Sequence, residues 1–196
     1  MPTSDVLSGV LSVVGLLFVA YWIGKLLGRV KEKRFATAWR PLVALVNGSF
    51  TSEATISETS VLTGTYQGYP VRAYMAPGSN KSHYSKERYN YFEVQLGHQP
   101  GKLDWQIAYQ TSILGLGKQG WQIEAAPALA DGLKQQGVLE QIQALGNPIV
   151  HYSQQQESLL LSEDVTPAWA PSPQHFKQQL DLLVGLAKIN RLINAP

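Results

Sequence analysis

The chain has no cysteine and only two methionines among its 196 residues. Without a thiol there is no disulfide, no thiolate nucleophile and no cysteine-ligated zinc. Charge is also sparse, at 15% of residues. Familiar catalytic signatures are missing: no G-x-S-x-G, no H-x-x-x-H and no G-K-[ST] occurs. The best-marked hydrolase, zinc-protease and nucleotide-triphosphate classes are therefore excluded on motif grounds.

Charge is absent altogether from residues 6–24, VLSGVLSVVGLLFVAYWIG, a run of 19 residues. As a helix it would extend roughly 28 Å, close to the thickness of a bilayer's hydrocarbon core. Asp5 precedes it, and Lys25, Arg29, Lys31, Lys33 and Arg34 follow. Tyr21 and Trp22 stand at the charged end, where amphipathic rings favour the headgroup layer. A secretory signal would carry its positive charge before the run rather than after it. The pattern predicts a retained transmembrane helix over 6–27 after a short tail at 1–5. The positive-inside rule places the N-terminus outside and the rest in the cytoplasm or stroma.

The formal charge of +2 hides an uneven distribution. Residues 25–40 hold six Lys and Arg against Glu32, a local +5, whereas residues 41–196 hold ten against twelve acids, a local −2. The globular part is mildly acidic, which argues against nucleic acid as its partner. The collar suits anionic lipid headgroups, each basic residue near the surface contributing on the order of 1 kcal/mol.

Within the anchor, Ser8, Ser12 and Gly15 share one helical face, as do Gly24 and Gly28 at its basic end. Small residues so placed let helix backbones approach, so Ser8, Ser12 and Gly15 are candidate contacts for a partner helix. A basic juxtamembrane helix is expected over 28–48, kinked or restarted at Pro41 and ended by Asn47-Gly48. Its apolar face, Phe35, Trp39, Leu42 and Val46, would lie on the membrane or cover the domain.

Residues 49–196 read as one α+β domain, an antiparallel sheet packed by helices. Strands are expected at Val61–Tyr66, Tyr69–Met75, Tyr89–Leu96, Leu103–Gln110 and Trp121–Ala125, with an earlier beginning near Ser52–Glu58. Gln67-Gly68 marks a tight hairpin, and Gln99-Pro100-Gly101-Lys102 a type II turn returning the chain into Leu103–Gln110. Two short helices are expected between Pro127 and Leu145, broken at Gly137, then a hairpin of Pro148–Tyr152 with Ser158–Leu161. A proline-rich linker, TPAWAPSP, precedes a helix over 173–193, capped by Ser172 with Pro173 in its first position. That helix has two apolar stripes: Phe176, Leu180, Leu183 and Ala187; and Leu182, Leu186, Ile189 and Ile193. One stripe suffices to cover a sheet, so the second implies another contact, either internal or with a partner protein.

Other chemistry is weakly signalled. Gly115, Gly117 and Gly120 match G-x-G-x-x-G, but Trp121-Gln-Ile-Glu-Ala after them reads as a strand, whereas dinucleotide binding needs a helix N-terminus there. His83, His98, His151 and His175 lack ligand spacing, so no metal or cofactor is expected. The long loop Pro77–Arg88 carries Lys81, Lys86 and Arg88 around Tyr84, and suits anionic lipid or an acidic surface.

The order of anchor, basic collar, YQGYPVRAY hairpin, tryptophan-rich strands and the ending PSPQHFKQQLDLLVGLAKIN resembles single-span membrane proteins of cyanobacteria with one soluble α+β domain. The resemblance implies a thylakoid or plasma membrane and brings no catalytic residue with it. The expected function is that of a non-enzymatic, membrane-anchored accessory or assembly subunit of a larger, photosynthetic membrane complex. It would use Ser8, Ser12 and Gly15 in the membrane and Leu182, Leu186, Ile189 and Ile193 on the domain, and a homodimer is compatible with these faces. The alternative is a lipid-reading module using Lys25, Arg29, Lys31, Lys33, Arg34, Lys81, Lys86 and Arg88.

Overall fold

The computed structural model describes residues 18, 21–22, 37–51, 61–77, 90–110, 120–135, 137–165 and 171–193. The chain divides into two compact units, Met1–Ala38 and Trp39–Pro196. In the first, Phe18, Tyr21 and Trp22 are helical and exposed. The Phe18 and Trp22 rings, about one helical turn apart, lie 6.2 Å between centroids. The rest of the apolar run lies outside the described residues. Among the described residues no helix is long and apolar enough to cross a membrane.

The second unit starts at Trp39, upstream of the Ser49 boundary expected from sequence. The reason is a helix over residues 37–45 (α1), whose Trp39 and Leu42, with Val46 just beyond, are fully buried. The apolar face of the juxtamembrane segment thus covers the domain. The helix runs on through Pro41 and closes at Asn47, whose φ of 46° is left-handed.

The strands are β1 (Ser49–Thr51), β2 (Val61–Tyr66), β3 (Tyr69–Pro77), β4 (Asn90–Leu96), β5 (Trp105–Gln110) and β6 (Gly120–Glu124). Next come α2 (Pro127–Gln135), α3 (Val138–Ala144), β7 (Ile149–Ser153), β8 (Ser158–Val165) and α4 (Pro173–Ile193). Gln67 and Gly68 both adopt positive φ, 49° and 85°, as a type I′ hairpin turn requires.

All eight strands form one sheet in the order β1-β2-β3-β4-β8-β7-β5-β6, and every pairing is antiparallel. The order corrects one expectation: β4 and β5 are not neighbours. The β7–β8 hairpin inserts between them, and the turn segment after β4 crosses the hairpin's tip. Gln99 donates its backbone N–H to the Glu157 carbonyl at 2.8 Å and accepts the Tyr152 hydroxyl at 2.8 Å. Asp104 then accepts the Gln154 N–H at 2.5 Å. Leu103, expected in the strand, is 56% exposed, and β5 begins only at Trp105.

Because side chains alternate along a strand, directly paired residues share a face. The row Leu62, Ala73, Val94, Leu161, Val150 and Ile107 crosses six strands and is fully buried. The helices lie on this side. Phe92 of β4 links them: its ring centroid is 5.6 Å from Trp39 of α1 and 6.0 Å from Phe176 of α4. Trp105 of β5 donates its indole N–H to Asn190 of α4 at 2.8 Å, inside the core.

Helix α4 starts as its sequence suggests, with Ser172 Oγ accepting the His175 N–H at 3.1 Å. Both stripes are internal. Phe176, Leu180, Leu183 and Ala187 are fully buried, and Leu182, Leu186 and Ile189 are nearly so. Helices α2 and α3 pack on α4, whose Lys177, Gln178, Asp181, Gly185 and Lys188 stay exposed. This burial removes Leu182, Leu186 and Ile189 from any partner-facing surface; the Ile193 side chain lies outside the described residues.

One close approach permits only glycine. A Cβ on Gly64 would stand 2.4 Å from the Val46 carbonyl oxygen and 2.9 Å from Gly48 Cα, where Thr65 also donates its N–H to that carbonyl at 2.6 Å. Gly64→Ala should therefore destabilise the domain by about 1–3 kcal/mol through overpacking. Urea unfolding followed by tryptophan fluorescence measures it, and an unchanged midpoint would mean the crossing relaxes without cost.

Candidate functional site

The sheet's second face carries none of the helices α1 to α4. Its members follow from the pairing registers. Thr63, Arg72, Gln95, Leu160, His151, Gln106 and Glu124 form one row. Val61, Tyr74, Glu93, Ser162 and Ile149 form the next. All are half-buried or exposed, and Ile149 is 40% exposed. An antiparallel sheet tolerates water on one face, so exposure alone says little. The arrangement of charge on that face is more informative.

Among the eight strands Arg72 is the only Lys or Arg. Its guanidinium lies over the Tyr74 ring, 4.9 Å from the centroid. Strands β4 to β8 contain Glu93, Glu124, Glu163 and Asp164 and no basic residue except His151. Arg72 is three strands from β7 in the sheet order, roughly 14 Å across the face. Glu93 on β4 is the acid nearest Arg72, and beyond it the face carries only negative charge and His151.

At the acidic end lies a depression of about 330 Å³, lined by Asp104, Trp105, Gln106, Glu124, His151, Tyr152 and Ser153. Asp104, Gln106, His151, Ser153 and Glu124 reach it from three strands and their approaches. A relay of side-chain amides leads to Glu124: Gln110 donates to Gln122, and Gln122 donates to Glu124 at 2.5 Å. Burial pushes the His151 imidazole below its ordinary pKa, against the opposing pull of Glu93 and then Asp104. Burial also raises the Tyr152 phenol, with Glu157 and Asp104 adding to it, so Tyr152 stays a donor to Gln99. The depression therefore presents two carboxylates, a neutral imidazole, an amide and a hydroxyl.

A second polar cluster sits at the start of α4, on the helical side. Glu163 Oε2 is 2.8 Å from His175 Nε2 and accepts the Gln179 amide at 2.7 Å. It fastens the last strand to the last helix. Farther along, Asp181 accepts the Tyr66 hydroxyl at 2.7 Å and pairs with Lys177 at 2.6 Å. Partial burial pushes the Asp181 carboxyl up, but the hydrogen bonds from Lys177 and Tyr66 and the Lys177 charge outweigh it and lower its pKa.

No family model, curated protein or solved structure matches this chain. Function must be read from the domain itself.

The residues singled out by sequence fare differently. Ser8, Ser12 and Gly15 lie outside the described residues, as do Lys25, Arg29, Lys31, Lys33, Arg34, Lys81, Lys86 and Arg88. Gly120 opens strand β6, so a strand follows the glycine-rich segment, as its sequence suggests. His98 is exposed, and His151 and His175 stand on different elements. Among the described residues no three His, Asp or Glu side chains converge as a metal site. Sequence reasoning missed Asp104, Glu124 and His151 as a group, because the order β7-β5-β6 brings together residues far apart in the chain. The available signal was the lack of Lys and Arg within the strands from β4 to β8.

The lowered His151 pKa has a definite consequence. Above about pH 6.5 the imidazole is neutral in both folded and unfolded chains, and its contribution to stability is fully present. As pH falls from there through the lowered folded value, the unfolded chain takes up the proton first and stability declines. His151→Gln should flatten this part of the pH–stability curve, measured as urea midpoints between about pH 7.5 and pH 5. Identical slopes in both proteins would show that His151 is not held neutral.

Proposed function

We propose that this protein is a membrane-anchored, non-enzymatic accessory or assembly subunit of a larger membrane complex. The run Val6–Gly24 would be its single transmembrane helix, N-terminus outside, with the domain on the cytoplasmic or stromal side. The observation that carries the reading is the one-sided sheet. Helices α1 to α4 lie on one face, while the other offers a broad surface, acidic from β4 to β8, with exposed Ile149 and half-buried Leu160, Tyr74 and Tyr91. A polar face with interspersed aromatic and aliphatic groups has the composition of a non-obligate protein interface.

Two surfaces then divide the work. The small-residue face of Ser8, Ser12 and Gly15 would pack against a partner helix within the bilayer. The uncovered sheet face would meet a soluble part of the same complex. The C-terminal helix has no part in this, since its apolar stripes are used inside the domain.

Extraction of the tagged protein from its native membrane in mild detergent, followed by a native gel, tests the reading. Co-migration with other chains at fixed stoichiometry is expected. Ser12→Leu with Gly15→Leu should release the protein from that band, because bulky side chains hold the helices apart. Migration alone or only as a homodimer would overturn the subunit assignment.

A further inference from the structure

We propose that the uncovered face receives a basic segment of a partner protein, seating an arginine or lysine in the depression beside His151. The inference rests on the docking role proposed above and names the chemistry of its partner.

Three observations carry it. The first is charge complementarity over the whole surface, not within one cluster. From β4 to β8 no strand contributes Lys or Arg, while Glu93 and Glu124 face the uncovered side with Asp164, which pairs with Tyr91 at the far end of β8. A cationic partner lowers that repulsion, whereas an anionic one adds to it.

The second is the shape and lining of the depression. It holds about 330 Å³ and is lined by Asp104 and Glu124 with the Gln106 amide and Ser153 hydroxyl, and among the described residues by no Lys or Arg. A guanidinium carries five N–H donors and no acceptor, so carboxylates, an amide oxygen and a hydroxyl meet its needs.

The third observation selects a long side chain over a bare ion. Leu160 lies directly across from His151, and Ile149 is two residues along the same face of β7. These apolar groups flank the approach and suit the methylene stem of an arginine or lysine. A metal ion would have no use for them, and no three-ligand set is present among the described residues.

His151 sets the pH response. Facing it are Glu93 from β4, Asp104 ahead of β5, Gln106 on β5 with Glu124 beyond it on β6, and the non-titrating Leu160 on β8. While neutral, it leaves the depression negative. Once protonated, it adds a positive charge next to the seat and weakens the cation's hold.

The test is fluorescence anisotropy of the full-length protein with a fluorescein-labelled peptide of repeated Arg-Gly-Leu. A peptide of repeated Glu-Gly-Leu is the control. The basic peptide should bind and the acidic one should not. Glu124→Gln with Asp104→Asn should weaken binding about tenfold, and added salt should weaken wild-type binding. Asp104 also holds the β7–β8 turn through Gln154, so Gln106→Lys, an exposed change that places a cation at the seat, supplies a second variant with the same expected loss. Binding should fall as pH drops through the lowered His151 value in the wild type, and less over the same range in His151→Gln.

Equal binding of both peptides, no binding of the basic one, or unchanged affinity in both variants would overturn the proposal. Native-gel co-migration by a protein that does not bind the basic peptide would overturn this inference while leaving the subunit reading intact. Basic-peptide binding that the variants weaken, in a protein that migrates alone, would support this inference and remove the subunit reading.

Discussion

Helix α4 has apolar side chains on two stripes, and both must leave water at once. That requirement shapes the domain. The sheet removes one stripe, with Phe176 against Phe92 and Leu180, Leu183 and Ala187 fully buried. The short helices α2 and α3 remove the other. With each buried Leu or Ile worth about 1.5–3 kcal/mol over its exposed form, α4 alone gathers a large part of the favourable burial. Much of that offsets chain entropy. The arrangement follows directly: α4 on the sheet, with α2 and α3 packed on α4.

Several polar groups within this core are partnered, although the Trp39 indole N–H and the Gln99 and Gln179 side-chain oxygens are not. Trp105 reaches Asn190 across the sheet–helix interface, and Glu163, His175 and Gln179 join the last strand to the last helix. Tyr66 and Lys177 hold Asp181 at the exposed edge. Such directed contacts add little net energy each, but a buried partner left alone is costly, so they favour one register over its alternatives. The aromatic run from Phe50 through Trp39 and Phe92 to Phe176 ties α1, the sheet and α4 into one body.

With four helices committed to one side, the other side of the sheet is left to contact something else or water. Its charge is not the even mixture of a merely solvated face. From β4 to β8 the strands give the uncovered side Glu93, Glu124 and Asp164 and no Lys or Arg, while Arg72 stands on neighbouring β3. A surface so ordered discriminates between partners by sign of charge even where its contacts are few. Anchoring to a membrane would add to this by confining encounters to a plane, so a modest face would suffice.

Sequence by itself determined most of the local structure. The runs Tyr89–Leu96 and Leu103–Gln110 read as strands and hold β4 and β5, Gln67-Gly68 and Asn47-Gly48 marked a turn and a helix end, and Ser172-Pro173 marked the start of α4. These features depend on residues a few positions apart, whose backbone preferences and periodicity act without knowledge of the rest. The tertiary structure alone decided that β7 and β8 separate β4 from β5, because strand order depends on contacts between segments far apart in the chain. It also decided that Leu182, Leu186 and Ile189 face inward, since nothing in their helical spacing says whether α3 or a partner covers them. The gathering of Asp104, Glu124 and His151 belongs to the same class: each is an ordinary polar residue on its own strand, and only the pairing register makes them neighbours.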